Sequence, residues 1–206
     1  MSPTEPRQAA SVVLLREQAN VLQCLLVERG LRRGAFRGFW VFPGGVVDPE
    51  DRGADPIAGL DNLLACKDAT AYVRAASREL EEETGVCLPE AERMLYFAYW
   101  TTPASIAKRF ATRFFVASCP DGQGECLRLD EEELVDGRWM SPSEALGSSI
   151  KLMPPTRDIL SRLAPCKTVA DAEALALSRQ RAGIPHVLPI VEVVNGREKI
   201  DVPEYR

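Results

Sequence analysis

Residues 78–86 read Arg-Glu-Leu-Glu-Glu-Glu-Thr-Gly-Val and put four glutamates into five consecutive positions. Wound as a helix at about 100° per residue, Glu79, Glu82 and Glu83 share one arc at i, i+3 and i+4 spacing, and Glu81 points nearly opposite, toward solvent. Carboxylates this close repel one another, so they need either a solvated face or a cation among them. Ala69, Val73, Ala76 and Leu80 form an apolar stripe beside the arc, which turns the acidic edge toward the interior or a cleft. Arg78 precedes Glu82 by four positions and can hold it in place. Upstream, Pro43-Gly44-Gly45 offers backbone N–H groups that a ligand can approach closely. Oxygen donors of this kind suit a hard divalent cation such as Mg2+, which keeps water and substrate phosphates in its shell.

The elements that must position these groups follow from periodicity and punctuation. The stretch 70–84 is rich in Ala, Arg, Glu and Leu and ends at Gly85, where a left-handed residue costs least, which predicts a helix. The runs 10–15 and 21–28 predict two strands joined by a polar turn. Residues 29–51, rich in Gly and Arg, predict a loop, a short strand and a tight turn, and 52–68 predict an inserted loop with a short helix. Further strands are expected at "RMLYFAYWTT", "RFATRFFVAS" and "ELVDGRWM". Ser141, Pro142 and Glu144 spell a capping box that opens a short helix. Helices are expected at 155–163 and 169–181, and Asn195-Gly196 between alternating runs predicts a closing hairpin. Strands dispersed among helices predict a mixed α/β fold. The expected organisation is a single domain over 1–206, with a core at about 10–146, an insertion at about 52–68 and an extension at about 150–206.

Gly45, Arg78, Glu79, Leu80, Glu82, Glu83, Gly85 and Val86 also sit on a longer pattern: Gly, five residues, Glu, seven residues, then Arg-Glu-apolar-x-Glu-Glu-x-Gly-apolar. On these residues the chain resembles the Nudix hydrolases. It departs from the pattern in two ways. Asp51 stands where the family has its first Glu, and 26 residues rather than seven separate it from Arg78. The extra length enters between loop and helix, where it is tolerated if the ends stay close. The resemblance implies a mixed sheet sandwiched between helices and hydrolysis of the pyrophosphate in a nucleoside diphosphate linked to another group. It implies Mg2+ or Mn2+ held by Glu79, Glu82 and Glu83, with Arg78 orienting them, and leaves the metal role of Asp51 open. It implies an assisting acid in "LDEEELVDGRW", for which Glu133, six before Trp139, is the first choice and Glu132 the second.

The segment "LLVERGLRRGAFRGFWVFPGG" and the long insertion look like the coenzyme A diphosphatases of the mammalian peroxisomal type, and the tail is similar to their bacterial relatives. This implies coenzyme A or acyl-coenzyme A as substrate. The Leu-Arg-x-His pattern of that group is absent, because positions 33–36 are Arg-Gly-Ala-Phe. Arg29, Arg32, Arg33 and Arg37 remain as residues for phosphate binding through charge-assisted bonds, beside Gly44 and Gly45.

The net charge of −5 argues against nonspecific binding to nucleic acid or to an anionic membrane. The six cysteines form no C-x-x-C pair and read as reduced thiols of a cytoplasmic protein, although Cys119 and Cys126 flank a turn and could bridge. A single histidine, His186, removes His-rich zinc sites and Ser-His-Asp triads and reads as structural. The expected partner is a small nucleotide conjugate, with a homodimer also possible for the residues after 150. Two other readings stay open: an ADP-ribose or dinucleotide pyrophosphatase, and a catalytically silent sensing or interaction module. Silent relatives usually lose a ligand Glu, and all three are present here.

Overall fold

A computed structural model describes residues 4–30, 36–53, 55–64, 66, 68–89, 93–125, 127–194 and 197–201. Strands β1 (Arg7–Gln18) and β2 (Val21–Arg29) form an antiparallel hairpin, turned at Ala19 and Asn20, both at positive φ. The segment 9–15 of β1 is buried at every position. A strand covered on both faces needs an unbroken run of small and apolar side chains, and "AASVVLL" supplies it. The short strands β3 (Trp40–Val41) and β4 (Gly44–Val46) follow, pairing with β2 and β1 respectively. Strands β5 (Leu95–Thr101), β6 (Phe110–Ser118), β7 (Leu134–Met140) and the two-residue β8 (His186–Val187) complete the sheet. Its order is β3-β2-β1-β6-β5-β8, with β4 on β1 and β7 on β2. The β1–β6 and β5–β8 pairs are parallel, so the sheet is mixed. Strands β9 (Ile190–Val194) and β10 (Arg197–Asp201) form a separate antiparallel hairpin; the Asn-Gly pair expected between them lies outside the described residues.

Helices cover both faces. Helix α1 (Leu60–Leu64) falls within the insertion, and α2 (Ala69–Thr84) carries the glutamates. Gly85 closes α2 at φ +73, and its N–H reaches the Glu81 carbonyl, so the helix stops where left-handed backbone becomes affordable. The expected stripe of Ala69, Val73, Ala76 and Leu80 is buried, but so are Tyr72 and Ala75. The buried face is wider than the stripe because α2 also packs beside α1 and under the Arg113 guanidinium. That cation stacks on Tyr72 at 4.1 Å and on Tyr99 at 4.4 Å. The other face holds α3 (Pro142–Gly147), α4 (Pro154–Leu163) and α5 (Val169–Ala182), whose Ala145, Ile159, Leu160, Leu163, Ala172 and Ala176 pack against β2, β5 and β6. The Ser141 capping box forms as expected. His186 stacks on Tyr99 at 3.8 Å and shares a hydrogen bond with Thr101. Cys24, Cys66, Cys87, Cys119 and Cys166 are free thiols; Cys126 lies outside the described residues. Among the described residues no helix is long and apolar enough to cross a membrane.

Candidate active site

The site is built where the Pro43-Gly44-Gly45 loop crosses β1 beside the C-terminal half of α2. Ser11 Oγ donates to the carbonyls of Phe42 and Pro43, and the Val12 N–H donates to Pro43, so the loop is pinned to the central strand. Pinning brings Gly45 against Glu79: a Cβ at position 45 would overlap the Glu79 carboxylate. The Gly44 N–H donates to Glu83 Oε2 at 2.8 Å. The three carboxylates are graded by depth, with Glu83 4 % exposed and the side chains of Glu79 and Glu82 17 % and 60 % exposed. Glu81 lies on the solvent side.

Arg78 ties this edge together. Its Nη1 donates to Glu79 and Glu82, both at 3.0 Å, and its Nη2 donates to the Val46 carbonyl at 3.1 Å and to Asp51 Oδ2 at 2.9 Å. Asp51, 3 % exposed, also receives Arg78 Nε at 3.2 Å and the Asp48 N–H at 2.8 Å, which closes the 3-10 turn Pro49–Asp51. Asp51 therefore anchors the arginine that orients the glutamates, a role its long separation from Arg78 in the chain concealed. Burial pushes the Glu83 carboxyl up to about 8, against the Gly44 N–H and Arg29, which favour the charged form. Burial also raises the Glu79 carboxyl, opposed by Arg78.

A cavity of about 590 Å³ opens in front of these groups. Gly44, Gly45, Glu79, Arg29 and Glu133 line its polar end. Arg29 Nη2 stands 3.7 Å from Glu133 Oε2, and the Gly30 N–H donates to the Glu133 carbonyl, so the loop before β7 is fastened to the end of β2. Of the residues expected from the sequence, Glu79, Gly44, Gly45, Arg29 and Glu133 share the cavity; Glu83, bonded to the Gly44 N–H, and the exposed Glu82 do not line it. Arg37 is exposed and does not line the cavity, Glu132 is exposed beside it in sequence but not on its wall, and Arg32 and Arg33 lie outside the described residues. Sequence reasoning missed the opposite wall. There Phe42, Trp100, Phe110 and Phe114 meet Leu152, Met153 and the Pro154-Pro155 start of α4, with Arg7 and Lys108 at the rim. Alternation along β1 and β6 could have found part of it, since Arg7, Ala9 and Ser11 share a strand face as do Phe110, Thr112 and Phe114.

The NUDIX domain family profile matches residues 5–163, a span that contains the loop, α2 and the β7 loop. The chain belongs to the NUDIX domain family. Human acyl-coenzyme A diphosphatase NUDT19 is 25 % identical, with the match covering 92 % of this chain and 76 % of that protein. Among solved structures, a NUDIX hydrolase from Alicyclobacillus acidocaldarius superposes with a TM-score of 0.67 at 22 % identity, over 83 % of this chain and 96 % of that one. The NUDIX domain of Shewanella oneidensis NrtR, complexed with ADP ribose, reaches 0.50 at 17 % identity, over 87 % and 90 %. This Nudix protein is a hydrolase with the family's mixed α/β fold, and enzymes of the family generally need divalent metal ions. Among the described residues no group of three or more His, Cys, Asp or Glu side chains stands ready-clustered around a metal position. Arg78 bonds Glu79 and Glu82, and the Gly44 N–H bonds Glu83. The donor set still fits a hard cation. It offers only carboxylate oxygens, one of them deep and raised in proton affinity by burial.

Proposed function

We propose that the protein hydrolyses the pyrophosphate of coenzyme A or an acyl-coenzyme A, as a single catalytic unit whose residues after 150 build a wall of the substrate pocket. The observation that carries the reading is one cavity with two chemistries. A carboxylate and arginine end made by Glu79, Arg29 and Glu133 faces an aromatic and aliphatic wall completed by Leu152, Met153 and Pro154. A diphosphate joined to a long arm of methylene and amide groups, extended by an apolar chain in an acyl-coenzyme A, matches that division. The likeness to the acyl-coenzyme A diphosphatase supports the same substrate class.

Glu79, Glu82 and Glu83 would hold Mg2+ or Mn2+, which supplies charge neutralisation at the phosphates and a lowered pKa for bound water. Arg78, anchored by Asp51, sets the rotamers of Glu79 and Glu82. Gly44 and Gly45 put their backbone on the wall of the cavity that takes the diphosphate, and Arg29 donates charge-assisted bonds to its oxygens. Glu133 takes the proton of the attacking water. The water oxygen bonds to one phosphorus as the bridging P–O bond breaks, and two phosphate monoesters leave. Free thiols suit a cytoplasmic setting.

The test is purified protein with Mg2+ or Mn2+ on coenzyme A, an acyl-coenzyme A, ADP-ribose and a diadenosine polyphosphate, with products identified by mass spectrometry. Coenzyme A and its acyl form should give the highest kcat/KM. Rapid turnover of ADP-ribose with coenzyme A left intact would refute the substrate assignment.

A further inference from the structure

We infer that Arg7 and Lys108 form a second anion subsite, which selects conjugates carrying a phosphate monoester on the nucleoside sugar. The inference rests on the pyrophosphatase reading of the same cavity and narrows its substrate class. Arg7 lies opposite Phe110 in the parallel β1–β6 register, and its N–H donates to the Arg109 carbonyl at 3.0 Å. Lys108 Nζ sits 5.7 Å from the centre of the Phe110 ring. The two cations thus flank one aromatic residue, and both line the cavity. Among the described residues neither has a carboxylate within ion-pair distance. Asp48, the acid on the wall nearest Arg7 in the β1–β4 pairing, is 3.6 Å from Arg78. Like charges gathered at a cavity mouth without a counter-ion repel one another, and a doubly charged phosphate relieves that repulsion.

Position agrees with charge. Gly45 pairs with Ala10, and Arg7 is three residues along the same strand, about 10 Å away at the usual rise. The arginine side chain covers part of that separation, and a ribose esterified at its 5′ and 3′ positions covers the rest. The adjoining wall offers a base a planar face. Phe36 is held at φ +62, a backbone region a phenylalanine rarely enters, and its ring lies 6.4 Å from that of Phe110. ADP-ribose and dephospho-coenzyme A lack the sugar monoester, so the subsite would discriminate against both.

Coenzyme A and dephospho-coenzyme A differ only in that phosphate, which makes them the probes. The ratio of their kcat/KM values should be about 10 or more for the wild type, the equivalent of one or two charge-assisted contacts, and should fall to about 1 in the Arg7→Ala, Lys108→Ala double variant. A wild-type ratio near 1, or a ratio unmoved by the substitutions, would overturn the inference. Calorimetric titration with adenosine 3′,5′-bisphosphate and with AMP gives a readout free of turnover. The bisphosphate should bind the wild type more tightly, and the double variant should lose that margin. If neither conjugate is cleaved, the functional reading falls, while the calorimetric contrast still decides the subsite.

Discussion

Replacing Asp51 by Asn removes one charge from a buried site without changing its shape. Both Asp51 oxygens are engaged: one accepts Arg78 Nε, the other accepts Arg78 Nη2 and the Asp48 N–H. An asparagine has a single oxygen, so its NH2 group must face a donor on one side or the other. Breaking a buried ion pair costs about 3–5 kcal/mol. Arg78 is 28 % exposed and keeps Glu79, Glu82 and the Val46 carbonyl, so the cost here should be nearer 2–3 kcal/mol. For a chain of this size that corresponds to a fall in Tm of about 5–10 °C. Urea unfolding followed by circular dichroism should show a lower midpoint at unchanged slope. Because Arg78 also sets Glu79 and Glu82, the Mg2+ concentration for half-maximal activity should rise at the same time. A loss below about 0.5 kcal/mol with an unaltered Mg2+ dependence would show that Asp51 does not anchor the arginine.

Gly45→Ala should lower kcat/KM about 100-fold or more with little loss of stability, because the added methyl displaces the Glu79 carboxylate; steady-state kinetics beside a thermal melt measures both. Glu82→Gln, at an exposed position, should abolish most turnover while leaving the melting temperature within a degree or two, and an unchanged rate would sink the metal assignment. In metal-free protein, Glu83 has a higher proton affinity folded than unfolded. Its contribution to stability is therefore full below the ordinary glutamate range and is lost as pH rises toward about 8, by an amount on the order of a few kcal/mol. Urea midpoints across that window should slope downward for the wild type, flatten for Glu83→Gln, and flatten for the wild type with added Mg2+.

The outcome of folding was most legible where contacts are short in sequence. The i, i+3, i+4 spacing placed Glu79, Glu82 and Glu83 on one edge of α2, and Gly85 marked its end, because helix geometry is local and repeats every few residues. Ser141-Pro142-x-Glu144 marked the start of α3 for the same reason. The three glutamates looked alike in the sequence, yet folding sorted them into a deep, a half-buried and an exposed carboxylate. Depth depends on which strand and loop pack against α2, and the residue order of the helix does not contain that information. The Gly44–Glu83 bond spans 39 positions and the Asp51–Arg78 pair spans 27, with an insertion between loop and helix hiding the latter. The aromatic wall is more remote still, since it joins β5 and β6 to residues around 152–155 that meet only after α3 and α4 close over the sheet. Local spacing determined which residue types stand together on one helix; chain crossings alone decided which became buried, which became paired, and what the cavity in front of them can hold.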